Sequence, residues 1–298
     1  MFVQDMSYLT TEEAARYLKL KERKLYDLVA SGAVPASKVT GKWLFPRAAL
    51  DRWIEAGMAR PDGFTSAEPP PVIGGSHDLL LDWAMRRSGA GLALLPEGSE
   101  AGLRRLMRNE VMAAALHFHD ETLSETANVT AVLEATDLED GVLIALARRE
   151  QGLLMLPEHA GSFCSLADAV AGKARFGLRQ RGAGAQMLLD GLLARAGLNA
   201  EALVAGPGSY PTGQDLALAI RSGEVDCGIG ARSVAVINGL GFLPLYVERL
   251  DLAMRRRSYF MPAMQGLMAT LRAPGFVRQA EAFGGYGVSE TGQIRANR

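Results

Sequence analysis

The segment GMARPDGFTSAEPPP, residues 57–71, constrains the fold most strongly because it divides the chain. It is rich in glycine and proline, shows little apolar periodicity and ends in three consecutive prolines. A 298-residue chain is also long for one core, since domains typically contain roughly 100–200 residues. The sequence therefore predicts one domain over residues 1–56, a linker over 57–71 and a second domain over 72–298.

The composition is that of an ordinary globular protein, with 48% hydrophobic and 22% charged residues. No apolar run approaches the roughly 18 residues of a membrane-spanning helix, and the N-terminus lacks the basic and apolar parts of a secretory signal. Cys164 and Cys227 are far apart and belong to no metal or redox motif. We expect a cytoplasmic protein with no membrane partner, bound metal or cofactor.

Positive charge is concentrated near the N-terminus. Residues 1–60 contain five Lys and five Arg against seven acidic residues, although the whole chain has a net charge of −1. This asymmetry indicates that the first domain meets a polyanion.

Two closely spaced helices are predicted at the start of the chain. Thr10 and Glu13 have the spacing of a capping box, so a helix should begin near Thr11. The next segment, KLKERKLYDLVASGAVP, predicts a second helix that ends before Gly32 and Pro35. Its apolar stripe consists of Leu25, Leu28 and Val29.

The following segment, ASKVTGKWLF, predicts a two-stranded hairpin that turns at Gly41 and Lys42, because its valine and aromatic residues favour extended structure. Pro46 suits the first turn of a helix, so a third helix should follow. We expect that helix to direct three apolar side chains inward: Leu50, Trp53 and Ile54.

This order of elements resembles the winged-helix DNA-binding domain of the excisionase and MerR-like group. The resemblance is carried by LTTEEAARYL, SGAVPASKV and GKWLFPRAALDRW. It implies double-stranded DNA as a partner, with the second helix in the major groove and the hairpin as a wing. The residues expected to contact DNA are Lys21, Arg23, Lys24, Tyr26, Lys42 and Arg47. The alternative for the second helix is a solvated charged surface without a partner.

From residue 72, short β-like runs alternate with helical patterns, which predicts α/β layers with largely parallel sheets. The segments GSHD, PEGSEAGL, RQRGAGAQMLLD and VDCGIG, with the tail FGGYGVSETGQI, resemble the intracellular relatives of periplasmic substrate-binding proteins, particularly the molybdate and tungstate type. The predicted fold is therefore α/β, with an N-terminal winged helix-turn-helix followed by a two-lobed type II periplasmic-binding-protein-like domain.

Ligands of such folds lie where strands give way to helices, and free N–H groups at helix starts attract negative charge. The expected ligand-binding residues are Ser76, His77, Ser99, Arg181, Gly182, Ala183 and Gly184. Arg179 and Arg181 each offer a cation beside the glycines. The alternative is that Ser76 and Ser99 act only as N-caps, with Asp78 and Glu100 satisfying the helix dipoles.

His117 and His119 form the one close histidine pair, for which a pocket or hinge role of His117 is favoured over metal binding. Phosphate-loop and serine-hydrolase motifs do not occur, so an enzyme is not expected. The sequence favours a ligand-responsive transcription regulator that forms a homodimer and senses a small molecule, with a molybdate or tungstate oxyanion implied by the resemblance. One alternative is a sensor of a neutral or organic metabolite. The other is an excisionase-like DNA-bending accessory protein whose large domain serves assembly.

Overall fold

The chain divides into two compact units, Met1–Ala67 and Glu68–Arg298. The computed structural model describes residues 8–39, 41–57, 68–120 and 122–298. Most of the predicted linker, residues 57–71, lies outside these described residues.

The described residues of the first unit form three helices and a two-stranded antiparallel sheet: α1 Thr11–Tyr17, α2 Glu22–Ala30, α3 Arg47–Ala56, β1 Tyr8–Leu9 and β2 Phe45–Pro46. The predicted capping box is confirmed, because Thr10 accepts from the Glu13 backbone while the Glu13 carboxylate accepts from Thr10. Buried apolar residues from all three helices and both strands form one small core: Leu9, Ala14, Ala15, Leu25, Val34, Phe45 and Leu50.

The predicted hairpin is shorter than expected. Its strands share a single bridge, in which Ser37 and Leu44 exchange N–H···O bonds of 2.9 and 2.8 Å. Phe45 pairs instead with Leu9, because its fully buried ring belongs to the core that Leu9 also enters. The prediction of an inward Ile54 is wrong, since this side chain is 42% exposed.

The second unit contains ten strands, ten α-helices and two short 3-10 turns, Pro157–His159 and Ala200–Ala202, among the described residues. Its strands are β3 Val72–Gly75, β4 Ala93–Pro96, β5 Ala113–Leu116, β6 Gly141–Met155, β7 Arg175–Leu178, β8 Val204–Ser209, β9 Cys227–Ala231, β10 Gly241–Arg255, β11 Tyr286–Gly287 and β12 Ile294–Asn297. Its helices are α4 Leu79–Ser88, α5 Ser99–Met107, α6 Ala127–Glu134, α7 Leu166–Ala171, α8 Gly184–Arg195, α9 Gly213–Arg221, α10 Arg232–Asn238, α11 Arg256–Tyr259, α12 Pro262–Arg272 and α13 Pro274–Phe283.

These strands form one curled sheet in the order β4-β3-β5-β10-β6-β9-β7-β8, with β11 and β12 also paired to β6. The outer pairs are parallel, as expected of strands joined by helical crossovers. The centre differs from the expectation of largely parallel sheets, because β10 is antiparallel to β5 and β6, and β6 is antiparallel to β9.

The long strands β6 and β10 pass through both lobes. Early apolar residues of β6, such as Ile144, lie in a core with α4 and α12, whereas Leu153 lies in another core with α7 and α8. Between these apolar runs β6 carries the polar sequence Arg-Arg-Glu-Gln, residues 148–151. The middle of the strand pair therefore joins the lobes and places polar side chains between them. Over the described parts of the chain, no helix combines the length and apolar character required to cross a membrane.

Candidate functional site

A cleft lies between the lobes, at the ends of β3, β5, β7 and β9. Its cavity volume is about 40 Å³, which is enough for roughly three water molecules at 10–15 Å³ each. This volume suits a ligand of a few atoms. The polar residues that line the cleft are Ser76, His77, Asp78, His117, Arg149, Gln151, Arg179, Gln180 and Ser233.

Arg149 is the centre of a buried chain of charges. Its side chain is 4% exposed, and Nη1 donates to Asp78 Oδ2 at 2.9 Å while Nε donates to Glu248. Burial lowers the pKa of Arg149, but the two carboxylates outweigh it and the net change is upward. Burial raises the pKa of Glu248, yet Arg149 brings it well below its ordinary value. Glu248 is therefore held as an anion, and Arg149 has a carboxylate partner on each side.

Arg179 is the second cation of the cleft. Its Nη2 donates to the carbonyl of Pro211 at 2.7 Å, while its buried Nε has no partner. Within the described ranges, no carboxylate oxygen lies within the 4.0 Å of an ion pair with this guanidinium. Burial, and then repulsion by Arg149, lower the pKa of Arg179 to about 10, so it remains charged at neutral pH. Among the described residues, Arg179 is thus a cation of the cleft that no carboxylate contacts, although the more distant Asp215 and Glu248 partly offset its charge.

His117 faces the cleft as a neutral ring. It is buried, neither ring nitrogen has a partner, and burial lowers its pKa to about 3. Its backbone N–H donates to Ser99 Oγ at 3.0 Å, and Ser99 Oγ lies 2.9 Å from Ser76 Oγ. When Ser99 donates its one hydroxyl hydrogen to Ser76, the Ser76 hydroxyl hydrogen is available to a ligand.

The start of α8 closes against the other lobe. Its N-cap, Ala183, lines the cleft and makes no side-chain capping bond. A Cβ atom on Gly184 would lie 2.1 Å from the carbonyl oxygen of His117 and 2.2 Å from its ring. Only glycine therefore allows α8 to begin this close to His117.

The structure brings three of the residues predicted to bind ligand into the lining: Ser76, His77 and Ala183. Three others stand directly behind it: Ser99, Gly182 and Gly184. Arg181 is exposed and lies outside the lining, whereas Arg179 lies within it. Arg179 directly follows β7, whereas Arg181 lies in the turn that precedes α8, so the two arginines have different surroundings.

The N-cap alternative is wrong for the two serines, but its expectation that Asp78 satisfies the start of a helix is confirmed. Asp78 caps α4 by accepting from Leu80 and Leu81 at 2.9 Å, and Ser99 follows Gly98, the N-cap of α5. The two acids that could have repelled an anion are both paired, Asp78 with Arg149 and Glu100 with Arg104.

Sequence reasoning did not find Arg149, Gln151 or Glu248. A signal was present, because the polar run Arg-Arg-Glu-Gln interrupts a strand that is apolar on both sides. Buried charges inside such a strand require partners and often mark a site. Among the described residues, no group of three His, Cys, Asp or Glu side chains is placed to hold a metal ion.

The residues predicted to contact DNA lie on the surface of the first unit. Lys21, Arg23, Lys24 and Tyr26 occupy the start of α2, where all are exposed. Lys42 is exposed in the loop that follows the Ser37 bridge. The Arg47 guanidinium lies 5.3 Å from the centre of the Tyr17 ring, so it packs against α1 from the start of α3.

A two-lobed sheet with two shared long strands and a polar cleft defines a periplasmic-binding-protein-like ligand-binding fold. The family described as the PBP superfamily domain matches residues 81–272, and the chain belongs to that superfamily. Residues 8–58 match a helix-turn-helix domain, as predicted.

One relative and two solved structures illustrate what this chain is similar to. An uncharacterized protein of Bacillus subtilis, YvgK, is 24% identical over 308 residues, which is 98% of this chain and 99% of the relative. An H2O2-bound OxyR mutant from Corynebacterium glutamicum is similar in structure over 92% of this chain and 89% of its own, with a TM-score of 0.52 and 13% identity. The tungstate ABC transporter from Geobacter sulfurreducens covers 71% of this chain and 97% of its own, with a TM-score of 0.50 and 10% identity. These structural likenesses show the fold.

Proposed function

We propose that the chain is a cytoplasmic, ligand-responsive transcription regulator whose cleft binds a compact anion. The helix-turn-helix unit supports DNA binding and the periplasmic-binding-protein-like unit supports ligand binding. The observation that carries the choice of an anion is Arg179, a half-buried cation of the small cleft whose buried Nε has no partner and which no carboxylate contacts among the described residues.

The charges of the cleft support this choice. Asp78 and Glu248 both pair with Arg149, so Arg179 is the charged group of the cleft that is left without a carboxylate in contact, although the four charges sum to zero. The Ser76 hydroxyl and the first N–H groups of α8 supply further donors, and helix starts favour negative charge. Molybdate and tungstate are the candidates that the resemblance supplies, while phosphate and sulfate have the same tetrahedral shape.

A neutral or organic metabolite is the second candidate. It is favoured by the neutral His117 ring and by the carboxylate of Asp78, which lies in the lining itself. A third possibility, a DNA-bending protein whose large unit serves only assembly, leaves the unpartnered buried groups of the cleft without a role. The proposal is of a binding protein, so candidate ligands should be recovered unchanged after incubation with the purified chain.

Calorimetry on the full chain tests the anion. Charge-assisted hydrogen bonds contribute roughly 1.5–3 kcal/mol, so Arg179→Met should weaken binding of molybdate, tungstate, phosphate or sulfate by about ten- to a hundredfold. Arg181→Met is the matched control, because Arg181 lies two residues away and is exposed. The proposal fails if none of these anions gives heat while an uncharged or amine ligand does.

Gel-shift titration tests the regulator. The bound anion should change operator affinity, whereas Arg179→Met should leave ligand-free DNA binding intact, because a ligand acts only through its different affinities for two states. A short recognition helix buries little surface, so we further propose a homodimer on paired half-sites. A monomer in sedimentation, with and without DNA, would contradict the dimer.

A further inference from the structure

The unsatisfied polar atoms of the protein are concentrated in the cleft. Among the described residues, four that line it have buried side-chain atoms without a hydrogen-bond partner. These atoms are both ring nitrogens of His117, Oε1 of Gln151, Nε of Arg179 and Oε1 of Gln180. Because buried polar atoms without partners are costly, their placement indicates groups that a ligand satisfies.

The orientation of Gln151 is fixed by its neighbours. Its Nε2 donates to Glu248 Oε1 at 2.8 Å, and the side chain is buried. Glu248 also accepts from Arg149 and lies 2.8 Å from His119 Nε2. An ionised carboxylate only accepts, so the reversed amide would place two acceptors together. The Gln151 amide is therefore oriented with Nε2 toward Glu248, which leaves Oε1 as an acceptor for a ligand in the cleft.

The lining of the cleft therefore requires both hydrogen-bond acceptors and a hydrogen-bond donor from the ligand. Arg179 only donates, and the neutral His117 ring offers one donor and one acceptor. Gln151 Oε1 only accepts, so it needs a hydrogen that comes from the ligand. Sulfate, molybdate and tungstate carry no hydrogen at neutral pH and would leave this acceptor unpartnered.

We infer that the cleft selects a compact anion that carries a hydrogen-bond donor of its own, as a protonated oxyanion such as hydrogen phosphate does. The inference rests on the proposed function and ranks hydrogen phosphate above sulfate, molybdate and tungstate. A small carboxylate with a neighbouring hydroxyl shares this chemistry. Phosphate and sulfate form the sharpest pair, since they match in shape and differ in the ligand's hydrogen.

Calorimetry on the full chain with these ions tests the inference. One unsatisfied buried acceptor corresponds to about a ten- to hundredfold loss of affinity, so phosphate should bind that much more tightly than sulfate. Gln151→Met has a similar volume and no amide oxygen, and should bring the ratio of the two affinities to within about threefold. Gln180→Met tests the second acceptor in the same way, should Gln151→Met fail to fold. Glycolate against acetate repeats the comparison for a hydroxyl-bearing carboxylate.

The outcomes separate this inference from the proposed function. A preference for phosphate over sulfate, or for glycolate over acetate, that is lost in Gln151→Met or Gln180→Met supports it and identifies the class of anion. Equal binding within both pairs, with Arg179→Met still weakening it, would overturn the donor requirement and leave the anion site standing. If no anion binds at all, both the anion site and the inference are wrong.

Discussion

The two units use positive charge in opposite ways. Lys21, Arg23 and Lys24 lie exposed along the start of α2, whereas Arg149 and Arg179 are enclosed between the lobes of the second unit. Exposed charges act over a Debye length of about 8 Å and are screened by salt. Enclosed charges act through contacts that salt does not reach. Removing an arginine should therefore have consequences that depend on the unit from which it is taken.

The largest effect is expected from Arg149→Met. The change leaves Asp78 and Glu248 buried without their cation, which should lower the free energy of unfolding by about 3–5 kcal/mol in urea titrations. Arg148→Met is the control, because the neighbouring side chain is 35% exposed and pairs with Glu125 at the surface. Its loss should stay within about 1 kcal/mol. Similar losses in the two variants would contradict the buried charge chain.

A smaller effect is expected from Gly184→Ala. The added methyl group meets the backbone and ring of His117, so the start of α8 must shift, at a cost of about 1–3 kcal/mol. Thermal unfolding measures the loss. Gly208→Ala is the matched change in β8, where an added Cβ meets no atom within 4 Å. Unaltered melting of Gly184→Ala would show that the lobes do not close there.

Acidification should weaken the fold through His117. Its pKa is about 3 in the folded protein and about 6.5 in the unfolded chain. Below about pH 6.5 the unfolded chain binds a proton that the folded protein does not. The free energy of unfolding should therefore decrease by up to about 1.4 kcal/mol for each unit by which the pH is lowered. His117→Gln should therefore show a shallower fall between pH 6.5 and pH 5 in urea titrations. Identical slopes would mean that the ring is hydrated.

The smallest effect concerns the exposed charges. Lys42→Ala should reduce the slope of log affinity against log salt by about one unit without altering sequence preference, because one phosphate contact is lost. Anisotropy titrations over a range of KCl concentrations measure this slope. Lys173→Ala, an exposed lysine of the second unit, should leave it unchanged. An unchanged slope in Lys42→Ala would remove the loop from the DNA interface.

Local features were readable from the sequence because their partners are close along the chain. Thr10 and Glu13 are three residues apart, and Ser76 and His77 directly follow a strand. The pairing of Arg149 with Glu248 spans 99 residues and depends on the register of β6 with β10. This register cannot be predicted from either strand alone, because the buried ends of both strands are apolar and would fit several registers.

The direction of side chains was the other feature that could not be predicted from the sequence. Arg181 directly precedes Gly182 and was expected to bind the ligand, but Arg179, which directly follows β7, is the arginine that lines the cleft. The hairpin was predicted to be longer than it is for a related reason. The aromatic Phe45 favours a strand in any pairing, and the buried partner it takes is Leu9, at the far end of the unit's sequence.

The paired strands β6 and β10 have a mechanical consequence for the second unit. Their ladder runs the length of both strands and is interrupted between Pro244 and Tyr246 and between Leu250 and Asp251. If one strand slid past the other, all the hydrogen bonds between them would break. Bending at the two interruptions would leave the regular hydrogen bonds on either side in place. We therefore expect any movement of one lobe against the other to occur by bending of the strand pair at these two interruptions. A ligand that contacts both lobes would then fix the angle between them.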